Sequence, residues 1–304
     1  MNDLPTVIST NCLLFADDLK LFHEVRSKKD VLTLQQDLNA VTHWAADWNL
    51  KLNASKCKSF KITLKRNCID SSYSINGVTL ENVTSIRDLG VIVDQKLDFA
   101  DHVTSIVTKS NRALGLLIRT FQSASPRCKL DKQAALAAYN ANVRSILEYC
   151  SVIWGGAARC HLVRVERVQH KFLMWLARHT GYNGTSLAYC DLLSPYHVLH
   201  LGARRAQCDV LFLCKVFKGF TSSPYLLECF KLHIPTRQSR AASRSLFYLP
   251  FARVNTVSSG LFVRIPRTVN HFLGFSPGSD IFYDGIGQLK RQTFKYVSTL
   301  TPIM

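Results

Sequence analysis

Acidic residues are scarce in this sequence: 21 Asp and Glu stand against 38 Lys and Arg, giving a formal net charge of +17 and a pI near 9.6. A balance this basic disfavours cationic partners and points to anionic ones, because Lys and Arg bind a polyphosphate backbone by displacing its condensed counterions. Nucleic acid is the leading candidate. The excess is uneven, with 19 basic and 15 acidic residues over 1–150 but 19 and 6 over 151–304. Solvation of helix faces is the alternative reading of such charge. Any Cys-x-x-Cys pair is also missing. The ten cysteines are scattered, resemble no disulfide-stapled secreted scaffold, and read as reduced intracellular thiols. Cys190, His197, His200 and Cys208 could supply four zinc ligands, but their spacing fits no common finger and both histidines sit in an apolar stretch. There is no run of 18 apolar residues and no basic-then-apolar leader, so the expectation is a nuclear or cytoplasmic protein, neither secreted nor membrane-spanning. Neither an internal repeat nor a long low-complexity tract is evident.

What is present can fold. At 304 residues with 47% hydrophobic content, the chain can bury a sizeable core in two or three subdomains. Two short apolar runs flank Asp17-Asp18 and predict a β-hairpin with carboxylates at its tip. From Asp30, the apolar stripe Val31, Leu34, Leu38, Val41, Trp44, Ala45 and Trp48 predicts an amphipathic helix with Asp30 as N-cap. Both tryptophans read as core in preference to base-stacking platforms. Alternation over 60–65 predicts a strand with a basic outer face. Asn76-Gly77 predicts a second hairpin, and residues 89–93 a further strand. Beyond Leu97 the pattern turns helical. One stripe runs from Phe99 to Phe121, a second takes Ala135, Tyr139, Val143 and Ile146, and a third spans 162–178, with Ser125-Pro126 separating the first two. Another helix is expected over 198–217. The stretch 236–267 is rich in Arg, Ser and aromatics and suggests no chemistry.

Two adjacent carboxylates repel each other unless a cation neutralises them. Their hard oxygens suit Mg²⁺, which keeps several waters and binds through one or two carboxylates plus substrate phosphates. Paired divalent ions serve nucleotidyl transfer in this way. An Asp pair in a turn is also ordinary, and by itself decides nothing.

The ordered series decides more. Phe15-Ala16-Asp17-Asp18, then Trp48-Asn49-Leu50-Lys51-Leu52-Asn53, Asn53-Ala54-Ser55-Lys56-Cys57 and Ile86-Arg87-Asp88-Leu89-Gly90-Val91 resemble reverse transcriptases of non-long-terminal-repeat retrotransposons, especially jockey-like elements. The likeness continues through Leu97-Asp98-Phe99, Asn111-Arg112-Ala113-Leu114-Gly115, Val152-Ile153-Trp154 and Arg164-Val165-Glu166-Arg167, covering roughly residues 10–220. It implies an α+β fold: a partial polymerase palm of antiparallel strands and a packing helix (1–95), a thumb-like helical bundle (96–180) and a mostly helical basic C-terminal region of unknown role (181–304). It also implies an RNA-directed DNA polymerase acting on an RNA template with an RNA–DNA or DNA duplex, with dNTP as substrate and Mg²⁺ as cofactor. Asp17 and Asp18 would be the catalytic, metal-binding pair, and Lys56 would lie near the triphosphate. Leu89, Gly90 and Val91 would position the primer end, while Arg112, Arg119, Arg164, Arg167 and Lys171 would grip the duplex. Without the resemblance, Lys56 is a solvated lysine entering a strand and Gly90 a bulge or close approach.

Only 16 residues precede Asp17. The expectation is a fragment, inactive alone, without the family's third aspartate, fingers or endonuclease; the resemblance places neither Asp88 nor Asp94 in the metal shell. A non-catalytic nucleic-acid-binding module and a decayed transposon remnant are the alternatives.

Overall fold

Around Ala16-Asp17 the two apolar runs close into a hairpin in the computed structural model, which describes residues 3–65, 68–124, 131–182, 184, 186–221, 223–234 and 245–303. Strand β1 (Asn11–Phe15) pairs antiparallel with β2 (Asp18–Phe22), Phe15 opposite Asp18, so Ala16 and Asp17 alone make the loop. Residues facing each other across such a pair share a side of the ribbon. Cys12, Leu14, Leu19 and Leu21 therefore take one side, and Leu13, Phe15, Asp18 and Lys20 the other. On the first side Leu19 and Leu21 pack on Val41, Trp44 and Ala45 of helix α1 (Lys28–Asp47), together with Leu4, while Leu14 nearer the tip stays exposed.

Ser27, not Asp30, is the N-cap of α1. Asp30 lies three residues further on and its carboxylate reaches back to accept from the Ser27 N–H at 2.7 Å, the reciprocal half of a capping box. The apolar stripe ends at Trp44 and Ala45, which are buried; Trp48 forms the C-cap and is 60% exposed. A second face of α1 packs Val31, Leu34 and Leu38 on Tyr73, Ile75 and Leu80. There the Gln35 amide donates to Ser74 O and accepts from Ser74 N, both at 2.9 Å, imitating a strand partner for β4.

Strands β4 (Ser74–Ile75) and β5 (Val78–Thr79) turn at Asn76-Gly77 with φ of 50° and 78°, the positive-φ pair that Asn-Gly accepts. The strand expected over 60–65 is displaced. Strand β3 covers Lys58–Phe60 and pairs in parallel with β6 (Glu81–Val83). Since β6 offers three residues, the ladder stops at Phe60, leaving Ile62 and Leu64 exposed. The expected strand at 89–93 also begins late. Leu89 and Gly90 have φ of 43° and 89° and form the turn between β7 (Ser85–Asp88) and β8 (Val91–Asp94). These elements belong to one compact unit, Met1–Leu97.

The second unit, Asp98–Met304, is helical. Helix α2 (Ala100–Ala124) packs on α6 (Arg159–His179) and on the run formed by α3 (Lys132–Tyr139), a π turn (Asn140–Arg144) and α4 (Ser145–Glu148). The π turn corrects the expected stripe. Its extra residue brings Leu147, not Ile146, into line with Val143, and both Val143 and Leu147 are fully buried. Tyr139 stacks on Phe172 of α6 at 4.1 Å between ring centres. Ser125-Pro126 lies outside the described residues. After α5 (Ser151–Trp154) and α7 (Tyr189–Leu193), helix α8 (Leu201–Phe217) centres another core that includes Phe230, Phe247, Ile265, Val269, Phe272 and Leu289. Around it lie α9 (Pro224–Cys229), α10 (Asn255–Ser258), α11 (Leu261–Phe275) and α12 (Ile286–Val297). The architecture is thus mixed: among the described residues, the first unit has four two-stranded sheets, three of them antiparallel, and helices dominate the second. Among the described residues no helix is long and apolar enough to cross a membrane.

Candidate functional site

The Asp17-Asp18 tip is held by its own ribbon and by what lies under it. Ala16 takes φ of 54°, in the left-handed region, while Asp17 does not share the positive sign. That position ordinarily holds glycine; an alanine there stores strain. The strand leading into β1 is anchored by Asp37 of α1, which is buried and accepts from Ser9 N at 3.0 Å and Thr10 N at 2.6 Å. Burial alone would raise this carboxyl, but the hydrogen bonds from Thr10 and Ser9 outweigh it and hold it below the usual range. With the root fixed, Asp17 and Asp18 both stand exposed at the tip.

Asp18 shares its side of the ribbon with Lys20. Lys20 Nζ makes an ion pair with Asp88 at 2.5 Å, and Asp88 is the last residue of β7 before the Leu89-Gly90 turn. The carboxylate hairpin and that turn are thereby brought together. Lys20 and its pairing with Asp88 escaped the sequence reading, because residues 68 positions apart give no local signal; a lysine between apolar neighbours on a strand was the only hint. Asp94 turns to a local role, accepting from Lys96 N at 2.9 Å. Lys56 stands exposed in the turn after α1, a turn pinned by Leu52, Ala54 and Cys57 on the Tyr73 cluster.

The basic residues expected to grip nucleic acid all lie in the second unit, on α2 and α6. Arg164 donates to Thr104 Oγ1 at 3.0 Å and Lys171 to Asn111 Oδ1 at 3.5 Å. Both pairs of positions are seven residues apart, so the contacts repeat once per two turns along the seam of α2 and α6. Their partners are neutral, which leaves both charges intact. Arg112 and Arg119, also seven apart, are exposed on α2, and Arg167 is exposed on α6. Charge follows the units: Met1–Leu97 holds 12 Lys and Arg against 11 Asp and Glu, whereas Asp98–Met304 holds 26 against 10.

Residues 1–93, nearly all of the unit that carries the Asp hairpin, match the reverse transcriptase (RNA-dependent DNA polymerase) family. Beyond that segment, the chain is 29% identical over 202 residues to the RNA-directed DNA polymerase from mobile element jockey of Drosophila funebris, covering 64% of this chain. The chain is homologous to the reverse transcriptases of jockey-type retrotransposons. The probable RNA-directed DNA polymerase from transposon X-element of Drosophila melanogaster is 30% identical over 173 residues (55% of this chain), and the jockey polymerase of the same species 28% over 186 (60%). The chain spans 19% of the length of each of these relatives. No solved structure matches it.

In this reverse transcriptase homologue the tip offers two exposed carboxylates, the hard oxygen ligands that suit a cation such as Mg²⁺. It does not by itself fit a pair of ions. Among the described residues, no group of three or more His, Cys, Asp or Glu is placed to hold a metal. Of the four residues considered for zinc, His200 instead caps α8, its Nδ1 accepting from Ala203 N at 3.1 Å.

Proposed function

We propose that the chain contributes the carboxylate hairpin and the duplex-binding helices of an RNA-directed DNA polymerase, which extends a primer with dNTPs on an RNA template. The observation that carries this reading is the union of the Asp17-Asp18 hairpin with the Leu89-Gly90 turn through Lys20 and Asp88, inside the segment matching the reverse transcriptase family. In this reading residues 1–95 are the later part of a palm and 96–180 a thumb-like bundle. Asp17 and Asp18 hold Mg²⁺, which when bound neutralises the carboxylates and the charge of substrate phosphates. Lys56 approaches the triphosphate as a solvent-facing cation. Leu89, Gly90 and Val91 set the primer end beside the carboxylates, the turn's positive φ allowing backbone to come close. Arg112, Arg119, Arg164, Arg167 and Lys171 neutralise phosphates of the template–primer duplex.

The 304 residues alone are proposed to polymerise negligibly, since two-ion chemistry depends on a carboxylate shell larger than one pair. Template-primed dNTP incorporation with Mg²⁺ should stay at background. Robust incorporation that Asp17→Ala abolishes would overturn this point. Mn²⁺ titration followed by electron paramagnetic resonance tests the site itself: one ion should bind, weakened about tenfold or more by Asp17→Asn, and no effect of that change would refute the metal assignment. A binding module without chemistry is the second reading, favoured by the charge concentrated in the helical unit. It expects nucleic-acid binding with no metal bound at Asp17.

A further inference from the structure

Helix α8 ends in a Schellman motif: Gly219 takes φ of 73°, Gly219 N donates to Val216 O at 3.2 Å, and Phe220 N donates to Lys215 O at 3.0 Å. An apolar residue in the position of Phe220 ordinarily folds back on the last turn of its helix. Here the residue it would meet there is Lys215, and Phe220 is left 71% exposed. A second exposed aromatic is brought up beside this cap. Lys218 Nζ donates to Phe282 O at 2.5 Å, and the Phe282 ring meets Phe217 edge-on at 5.6 Å. The next residue, Tyr283, is 89% exposed.

The loop bearing Tyr283 is braced by its own hydrogen bonds. Asp280 Oδ1 accepts from Phe282 N at 2.8 Å and Tyr283 N at 3.2 Å, while Asp284 Oδ2 accepts from Asp280 N at 3.0 Å and Asp284 Oδ1 from Gln288 at 2.9 Å. Both acids are engaged in holding the loop. Tyr283 thus stands in water on a hydrogen-bonded turn that Phe282 ties to the end of α8, and Phe220 stands in water at the cap of the same helix, whose last turns carry Lys215 and Lys218. Over residues 215–304 the chain has 12 Lys and Arg against three Asp and Glu. Exposed rings set among cations are the combination that binds single-stranded nucleic acid, by stacking bases while the charges follow the backbone.

We propose that Phe220 and Tyr283, flanked by Lys215 and Lys218, form a stacking site for single-stranded RNA in the C-terminal region, separate from the duplex-binding face of α2 and α6. The choice of RNA rests on the proposed function; the site itself rests on the two aromatics and their charges. The test is fluorescence anisotropy of the 304-residue protein with a labelled single-stranded RNA of about 16 nucleotides and with a labelled RNA–DNA duplex. F220A/Y283A should weaken single-strand binding on the order of 100-fold, about tenfold for each stack lost, and leave duplex binding unchanged. F220Y/Y283F, which keeps both rings, should bind as the parent does. Single-strand affinity unaltered in F220A/Y283A would overturn the proposal, as would sedimentation showing a dimer that the same change dissolves, since the rings would then face a second copy. Single-strand binding that depends on the two rings, in a protein that binds neither duplex nor Mn²⁺, would support this site while removing the polymerase reading.

Discussion

Ala16 occupies a backbone region that costs a residue with a β-carbon about 1–2 kcal/mol. Glycine would avoid that strain but lose more freedom on folding. Ala16→Gly should therefore stabilise the chain by about 0.5–1 kcal/mol in denaturant unfolding, and an equal or larger destabilisation would show that the loop does not hold this conformation. His200 governs a different response. Burial chiefly, with Arg205 adding to it against the opposing influence of Glu166 and the Leu300 carbonyl, keeps its imidazole below the usual range. The neutral ring uses Nδ1 to accept from Ala203 N, and Nε2 lies 3.0 Å from Leu300 O. Because the unfolded chain binds the proton more readily, His200 contributes full stability above about pH 6.5 and loses it as pH falls toward the folded value. Melting temperatures should drop across that window. His200→Asn should flatten the drop, and an unchanged pH profile in that variant would refute the assignment.

Among the elements, α6 and α8 depend on one carboxylate. Glu166 is fully buried on α6, accepting from Tyr189 OH at 2.6 Å, from Leu201 N at 2.9 Å and Gly202 N at 2.6 Å at the start of α8, and from Arg205 at 3.3 Å. It supplies what an N-terminal cap supplies, from another helix, and neutralises a buried guanidinium. Glu166→Ala would leave these donors and the Arg205 charge without a partner. The expected cost is about 3–5 kcal/mol, read as loss of cooperative unfolding or a large fall in melting temperature; a fall equal to that of a surface substitution would refute the role. Tyr139 and Gln169 extend the same network, with Tyr139 OH donating to Gln169 at 3.2 Å and Gln169 donating to Tyr189 OH at 2.9 Å. Burial pushes the Tyr139 and Tyr189 hydroxyls upward, so both remain donors throughout ordinary pH.

For the molecule as a whole, the separation of charge matters most. A nearly neutral unit carries the carboxylates and a strongly basic one carries the five residues proposed to face phosphate. If each of Arg112, Arg119, Arg164, Arg167 and Lys171 neutralises one phosphate of a DNA duplex, the logarithm of affinity should fall with that of salt at a slope of roughly −4 to −5. Arg112→Ala should reduce its magnitude by about 0.9. A slope near zero, or one indifferent to that change, would move the contact elsewhere.

The sequence by itself determined the Asp17-Asp18 hairpin, the Asn76-Gly77 turn and the helical stripes of α1, α2 and α6, because strand alternation, turn chemistry and helical spacing are local properties. It also determined the kinship with reverse transcriptases, which rests on ordered motifs. Only the tertiary structure decided where those local signals stop. Residues 61–65 alternate like a strand, but β6 is too short to extend the pairing. Leu147 replaces Ile146 in the core because of a π turn that no spacing announces. Lys20 and Asp88 meet across 68 residues, and Glu166 caps a helix 35 residues away. Each is a pairing of distant groups, settled by which backbone edges and buried charges find partners when the chain packs.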